Sequence, residues 1–265
     1  MIVAFEGWND AGDAASGAVR YLIDRHDAEL LAEIDAEEFF DFTSTRPQIE
    51  VDAEGRRQIV WPTTEVYAAT LPGGADDAVL VIGTEPQLRW RTFSEQITRL
   101  ARELDCRLVV LLGALVAEVP HSRPVPVVAA AADPALEATL GLPASSYEGP
   151  TGVIGVLSAA FRDAGLPAAS LWAAVPTYVP TAPSPKAALA LLERTTELLG
   201  FWLPTTDLEI AAAAYERQVT ELVEEDEETS EYVAGLEARH DTEEGNAEGH
   251  SLVEEVERFL RDRPD

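Results

Sequence analysis

The 265 residues carry 48 Asp and Glu against 19 Lys and Arg, a formal charge of −29, and 46% of the side chains are apolar. That charge repels phosphate backbones and anionic lipid, which excludes nucleic acid and membrane surfaces as partners, and the longest apolar run, near Leu108 to Val116, is far short of the ~20 residues that span a bilayer. The only cysteine, Cys106, leaves no intramolecular disulfide or Cys-based metal cluster, and without a basic leader or cleavage signature after Met1 the expected location is the cytoplasm.

In chain order, predicted strands fall at Ile2 to Glu6, Glu38 to Phe42, Gln58 to Trp61, Glu65 to Thr70, Ala78 to Gly83, Arg107 to Leu112, Val125 to Ala130 and Leu171 to Val175. Predicted helices run over Ala11 to Arg25, Thr92 to Leu104, Gly152 to Ala164 and Pro185 to Leu199. Alternation of the two makes this an α/β protein with helices on the faces of a sheet. The runs VLVIG and RLVVLLGAL lack polar alternation, so they belong to central strands covered on both sides. Between Phe40 and Leu71 the residues instead fit antiparallel hairpins at an edge, which makes the sheet mixed.

Beyond Phe201-Trp202-Leu203-Pro204 the pattern is helical only. Tyr215, Val219, Leu222, Asp226, Thr229, Val233 and Leu236 alternate in steps of four and three, a heptad seam with a polar interruption. The loop Glu243 to His250 then precedes a stripe of Leu252, Val253, Val256, Phe259 and Leu260. The expected division is a core domain over 1–203 and an acidic helical hairpin over 204–265. Residues 201–265 hold 20 acids and 5 bases. The plainer reading packs the hairpin on its own core; the polar seam positions Asp226 and Thr229 lean toward an arm that contacts another chain.

The corner FEGWNDAGDAA gathers Glu6, Trp8, Asn9, Asp10 and Asp13 where the first strand meets the first helix. Asn9 or Asp10 is placed to cap that helix, with Asp13 in its first turn. Gly7, Gly12 and Gly17 have neither dinucleotide nor Walker spacing. A Mg²⁺ on Glu6, Asp10 and Asp13 is the weaker reading beside caps, so neither metal nor cofactor is expected. Trp8 fits a pocket lid, an oligomer contact or plain packing. GTEPQLRW, EVPHSRP and YEGPTGVIGVLSAAF punctuate other strand ends. In open α/β sheets such loops converge on a crevice, which would gather Glu6, Trp8, Asn9, Asp10, Glu85, Arg89, Trp90, His121, Arg123, Glu148 and Thr151 as a ligand or partner site. No nucleophile is evident: Ser158 lacks the GxSxG elbow, and no catalytic residue is assigned.

Four motifs, FEGWNDAGDAA, GTEPQLRW, EVPHSRP and YEGPTGVIGVLSAAFRDAGLPAASLWAAVPTYV, together resemble the proteasome assembly chaperone family, in the bacterial branch akin to the second eukaryotic chaperone subunit. The resemblance covers about residues 1–200, and His-Ser-Arg stands where His-Thr-Arg is usual. It implies a three-layer α/β/α sandwich of nucleoside-phosphorylase-like type, a homo-oligomer with a trimer favoured, and a role in assembling proteasome α-subunit rings. The hydrophobic-Tyr-X tail of some archaeal relatives is absent from Arg261-Asp262-Arg263-Pro264-Asp265. Two readings stay open. One is a non-catalytic protein that binds protein partners, among them proteasome α subunits. The other is an enzyme acting on a nucleoside, a phosphorylated compound or a carboxylate, as in ATP-dependent ligation, in the strand-end crevice.

Overall fold

The computed structural model describes residues 1–246 apart from 74–76, 134–135, 137–139, 144 and 146, with side chains to residue 242. A seven-stranded mixed sheet runs through its centre in the order β2-β5-β6-β1-β7-β9-β8. The four middle strands are parallel: β6 (Ala78–Thr84), β1 (Ile2–Glu6), β7 (Val109–Ala117) and β9 (Ala168–Pro176). Every residue of β7 is buried, as an unbroken apolar run between two helical layers requires. On one flank β5 (Thr64–Ala69) and β2 (Glu29–Ile34) run antiparallel; on the other, β8 (Val127–Ala131) runs antiparallel to β9.

Alternate residues of β1 serve the two faces. Ile2 and Ala4 pack under α1 (Ala14–Arg25) and a helix at Pro185–Leu199, while Val3 and Phe5 face α2 (Trp90–Glu103) and α3 (Val153–Asp163). The Pro185–Leu199 helix is α4; Ser184 caps it by accepting from Ala187 N, and Gly200 closes it. The result is the expected three-layer sandwich with a mixed sheet.

Three local expectations change. Glu38 to Phe42 is a turn and not a strand, because Phe39 and Phe40 are both buried and successive strand residues point to opposite faces. Their amides instead fold back onto Ala36 O at 3.0 and 3.2 Å. The flanking strand is β2, whose sequence ELLAEI shows no alternation to announce it. The Gln58 to Trp61 segment contributes β4 (Arg57–Val60), which pairs with β3 (Gln48–Val51) as a separate two-stranded sheet and not as part of the main one.

The tail also folds differently in detail. α5 (Thr206–Glu224) ends just before Asp226, and α6 (Glu227–Asn246) starts just after it. Asp226 Oδ2 accepts from Thr229 N at 2.8 Å, so the polar pair that interrupts the seam is a helix cap. The seam folds back on itself: Tyr215, Val219 and Val223 of α5 meet Val233 of α6, with Tyr178 and Val179 alongside. α6 continues through residues 243–246, where a loop was expected; the remainder of that loop and the Leu252 to Leu260 stripe lie outside the described residues.

Candidate functional site

The parallel strands β1, β6, β7 and β9 all end on one edge of the sheet, so their following loops share that edge. The corner after β1 is stitched to the longer β7: Ala114 N donates to Asn9 O at 2.8 Å and Asp10 bridges to Ala114. Asp10 is the cap of α1, as its Oδ1 accepts from Ala15 N at 2.7 Å and Ser16 N at 3.1 Å. Its Oδ2 is buried without a partner, and burial raises the carboxyl pKa above its ordinary value. Asp13 sits at the helix start with left-handed backbone and makes no side-chain cap.

Glu85, one residue beyond β6, ties three elements together. Its amide donates to Glu6 O at 2.8 Å. Its Oε1 accepts from Asn9 Nδ2 and from Val153 N, both at 2.7 Å. The positive end of α3 is therefore filled by a protein carboxylate. Gly152 permits this approach, because a Cβ there would lie 2.4 Å from Asn9 Nδ2 and 2.7 Å from Glu85 Oε1. Glu6 pairs with Arg20 and accepts from Thr84 Oγ1 at 3.2 Å. Arg89 pairs with Glu38 at 2.6 Å, and the Trp90 indole donates to Pro86 O, both fixing the loop ahead of α2.

Trp8 and Thr151 border a cavity of about 410 Å³, with Tyr147, Ile154, Ser158 and Trp172 among its other walls. Trp172 lies across Gly113 of β7, where a Cβ would stand 2.4 Å from the ring. Glu148 is exposed in the loop between.

His121 and Arg123 follow β7 on the same edge but belong to a second group, built on α5 and α6. His121 N donates to Tyr178 Oη at 2.7 Å, Nδ1 lies 2.9 Å from that oxygen, and Nε2 lies 3.0 Å from Thr220 Oγ1. Thr220 in turn donates to Glu216 O at 2.9 Å. A neutral ring protonated at Nε2 satisfies this whole chain, and burial together with Lys186 lowers the His121 pKa in agreement. Lys186, the single lysine, donates to His121 O at 2.5 Å and pairs with Glu216. Arg123 grips Asp241 through two bonds of 2.7 and 2.9 Å, which holds the Asp241 carboxyl below its ordinary pKa.

The corner group thus comprises Glu6, Asn9, Asp10, Glu85 and the start of α3 beside Thr151. His121 and Arg123 form a clasp on the tail helices. Tyr178, Lys186, Thr220 and Asp241 were not picked out from sequence, because they meet His121 and Arg123 across separations of 57, 65, 99 and 118 residues. Among the described residues no group of three His, Cys, Asp or Glu could hold a metal ion, and no helix is long and apolar enough to cross a membrane.

A mixed sheet between helical layers, with strand-end loops bound to one another through the Glu85 carboxylate, defines an α/β/α protein. The chain belongs to the PAC2 family, whose profile matches residues 4–223. It is similar to a PAC2 family protein of Streptomyces avermitilis, with 46% identity over 88% of this chain and 98% of that one and a TM-score of 0.80. It is equally similar to a proteasome-assembly chaperone homologue of Mycobacterium tuberculosis, with 45% identity, the same two coverages and a TM-score of 0.79. An archaeal proteasome activator of Pyrococcus furiosus shares the fold at 18% identity, 83% and 91% coverage and a TM-score of 0.67. No curated protein sequence matches.

Proposed function

We propose that the chain is a non-catalytic binding protein of the proteasome-assembly-chaperone type, which engages protein partners and takes proteasome α subunits as its partner class. One observation carries this reading. The polar side chains at the strand-end edge bond within the protein: Asn9 Nδ2 to Glu85, Glu85 to the start of α3, Asp10 through Oδ1 to α1, His121 and Arg123 to α5 and α6. A general base or nucleophile needs a side chain aimed at a substrate, whereas these hold loops in place for a surface to be recognised. The M. tuberculosis relative, described as a proteasome-assembly chaperone homologue, supports the partner class.

The enzyme alternative finds one supporting feature, the Trp8 and Trp172 cavity of about 410 Å³, which is within the size range of small-molecule sites. Mixing the purified full chain with recombinant proteasome α subunits separates the readings. Co-elution on gel filtration is expected. No co-elution, together with a thermal shift on adding a nucleoside or nucleotide, would transfer the function to the cavity.

A further inference from the structure

The α2 and α3 layer leaves the β8 edge of the sheet partly uncovered, and the space beside α3 is the cavity of about 410 Å³. Its floor is the sheet itself. The pairs Val128↔Trp172 and Ala130↔Ser170 join β8 to β9, and directly opposed residues share a face, so these four side chains form one surface. α3 supplies the side wall through Ser158, Ala159 and Arg162. Ala130 and Ala159 are too short to fill the space between.

The chemistry of these walls is unlike that of the chain as a whole. The protein holds 48 Asp and Glu, yet among the described residues that line the cavity Arg162 is the only one with a charge. Its Nε and Nη2 donate to Asp163 Oδ1 at 3.1 and 2.9 Å, which leaves Nη1 over. Ser158 Oγ and Ser170 Oγ have no hydrogen-bond partner among the described residues, although a serine within a helix can bond back to the carbonyl four residues earlier. Trp8, Tyr147 and Trp172 add three aromatic walls, surfaces on which a flat ring stacks.

The position of each group gives the cavity a direction. α3 runs from the strand-end edge, where Glu85 accepts from Val153 N, back toward the start of β9. Arg162 and Ser170 therefore lie toward one end and Trp8, in the corner after β1, toward the other. Phosphate fits poorly, because the amides at a helix start that would cradle it already face the Glu85 carboxylate, and one arginine answers one negative charge.

We propose that this cavity binds a planar aromatic carboxylic acid, with its ring between Trp8 and Trp172, a polar ring atom on Ser158 Oγ and its carboxylate on Arg162 Nη1 and Ser170 Oγ. Occupancy involves no reaction and no proteasome subunit, so it stands or falls separately from the proposed function.

Isothermal titration calorimetry of the full chain tests it, with indoleacetate as the probe, indoleacetamide as its uncharged isostere and adenosine monophosphate as the phosphate-bearing comparison. One indoleacetate per chain is expected, with indoleacetamide about tenfold weaker because the charge-assisted bond is lost, and no binding of adenosine monophosphate. Arg162→Gln changes a half-exposed side chain and is expected to bring indoleacetate down to the affinity of indoleacetamide while leaving indoleacetamide unchanged. Ser158→Trp fills the cavity and is expected to abolish both with an unchanged circular dichroism spectrum; should it disturb the fold, Arg162→Gln decides alone. Arg91→Gln, at an exposed arginine of α2 outside the cavity, is expected to bind as wild type does. Wild type that binds no indoleacetate, full affinity for it in Arg162→Gln or in folded Ser158→Trp, or tighter binding of adenosine monophosphate overturns the proposal.

Discussion

At the scale of single residues, the corner combines two opposed demands on Asp10. Its Oδ1 satisfies two amides of α1, yet the carboxylate is buried and its Oδ2 has no partner. The folded pKa is therefore raised above 3.8, so stability linked to this group is fullest below 3.8 and declines as pH rises through the folded value. Asp10→Asn keeps the accepting oxygen and removes the buried charge, whereas Asp10→Ala removes the cap. In urea titrations at neutral pH the Asn variant is expected to equal or exceed wild type, and the Ala variant to lose about 1 kcal/mol. The advantage of Asn over Asp should shrink on acidification. An Asn variant as unstable as the Ala variant would show that the charge itself holds α1.

At the scale of elements, α5 and α6 are joined to the sandwich by contacts of two kinds. Leu208 packs against the core under α4, while Tyr215, Val219, Val223 and Val233 form a separate cluster with Tyr178 and Val179. Polar bonds from His121, Arg123 and Lys186 complete the attachment. Because the two main core clusters draw on the sheet and α1 to α4, the segment after Pro204 is proposed to be an appendage. Deleting residues 205–265 is expected to leave a folded sandwich by circular dichroism, with a lower melting temperature because Tyr178 and Val179 lose their cover. Complete unfolding of the truncated chain would make the whole polypeptide one domain.

At the scale of the whole molecule, two histidines, His121 buried and His26 half-buried, contribute to the pH dependence of stability. His121 and His26 both have pKa values lowered from 6.5, burial being the main cause. A lowered folded value means that the unfolded chain binds more protons in the window beneath 6.5, so the stabilisation present above 6.5 is lost as pH falls. The melting temperature is expected to drop from about pH 7.5 to about pH 5.5, and His121→Gln to flatten part of that slope. A slope unchanged in that variant would place the titration elsewhere.

What the sequence determined by itself is what depends on local pattern. Central strands were legible because β6 and β7 are continuous apolar runs, and α1 to α4 because their apolar spacing repeats within a few residues. The four motifs likewise carried the family. Tertiary structure decided whatever depends on residues far apart in the chain. β2 has an unpatterned sequence and is a strand because β5 pairs with it. Phe39 and Phe40 leave the sheet because both find room beneath α2. Asp226 reads as a seam position until α6 folds back and makes it a cap. Glu85 and Asn9, 76 residues apart, meet because parallel strands deliver their loops to one edge, and His121 and Thr220, 99 apart, meet because α5 packs back against that edge. That edge was foreseeable from the order of strands and helices; which side chains pair along it was not, because hydrogen bonding is set by atomic distance and not by sequence spacing.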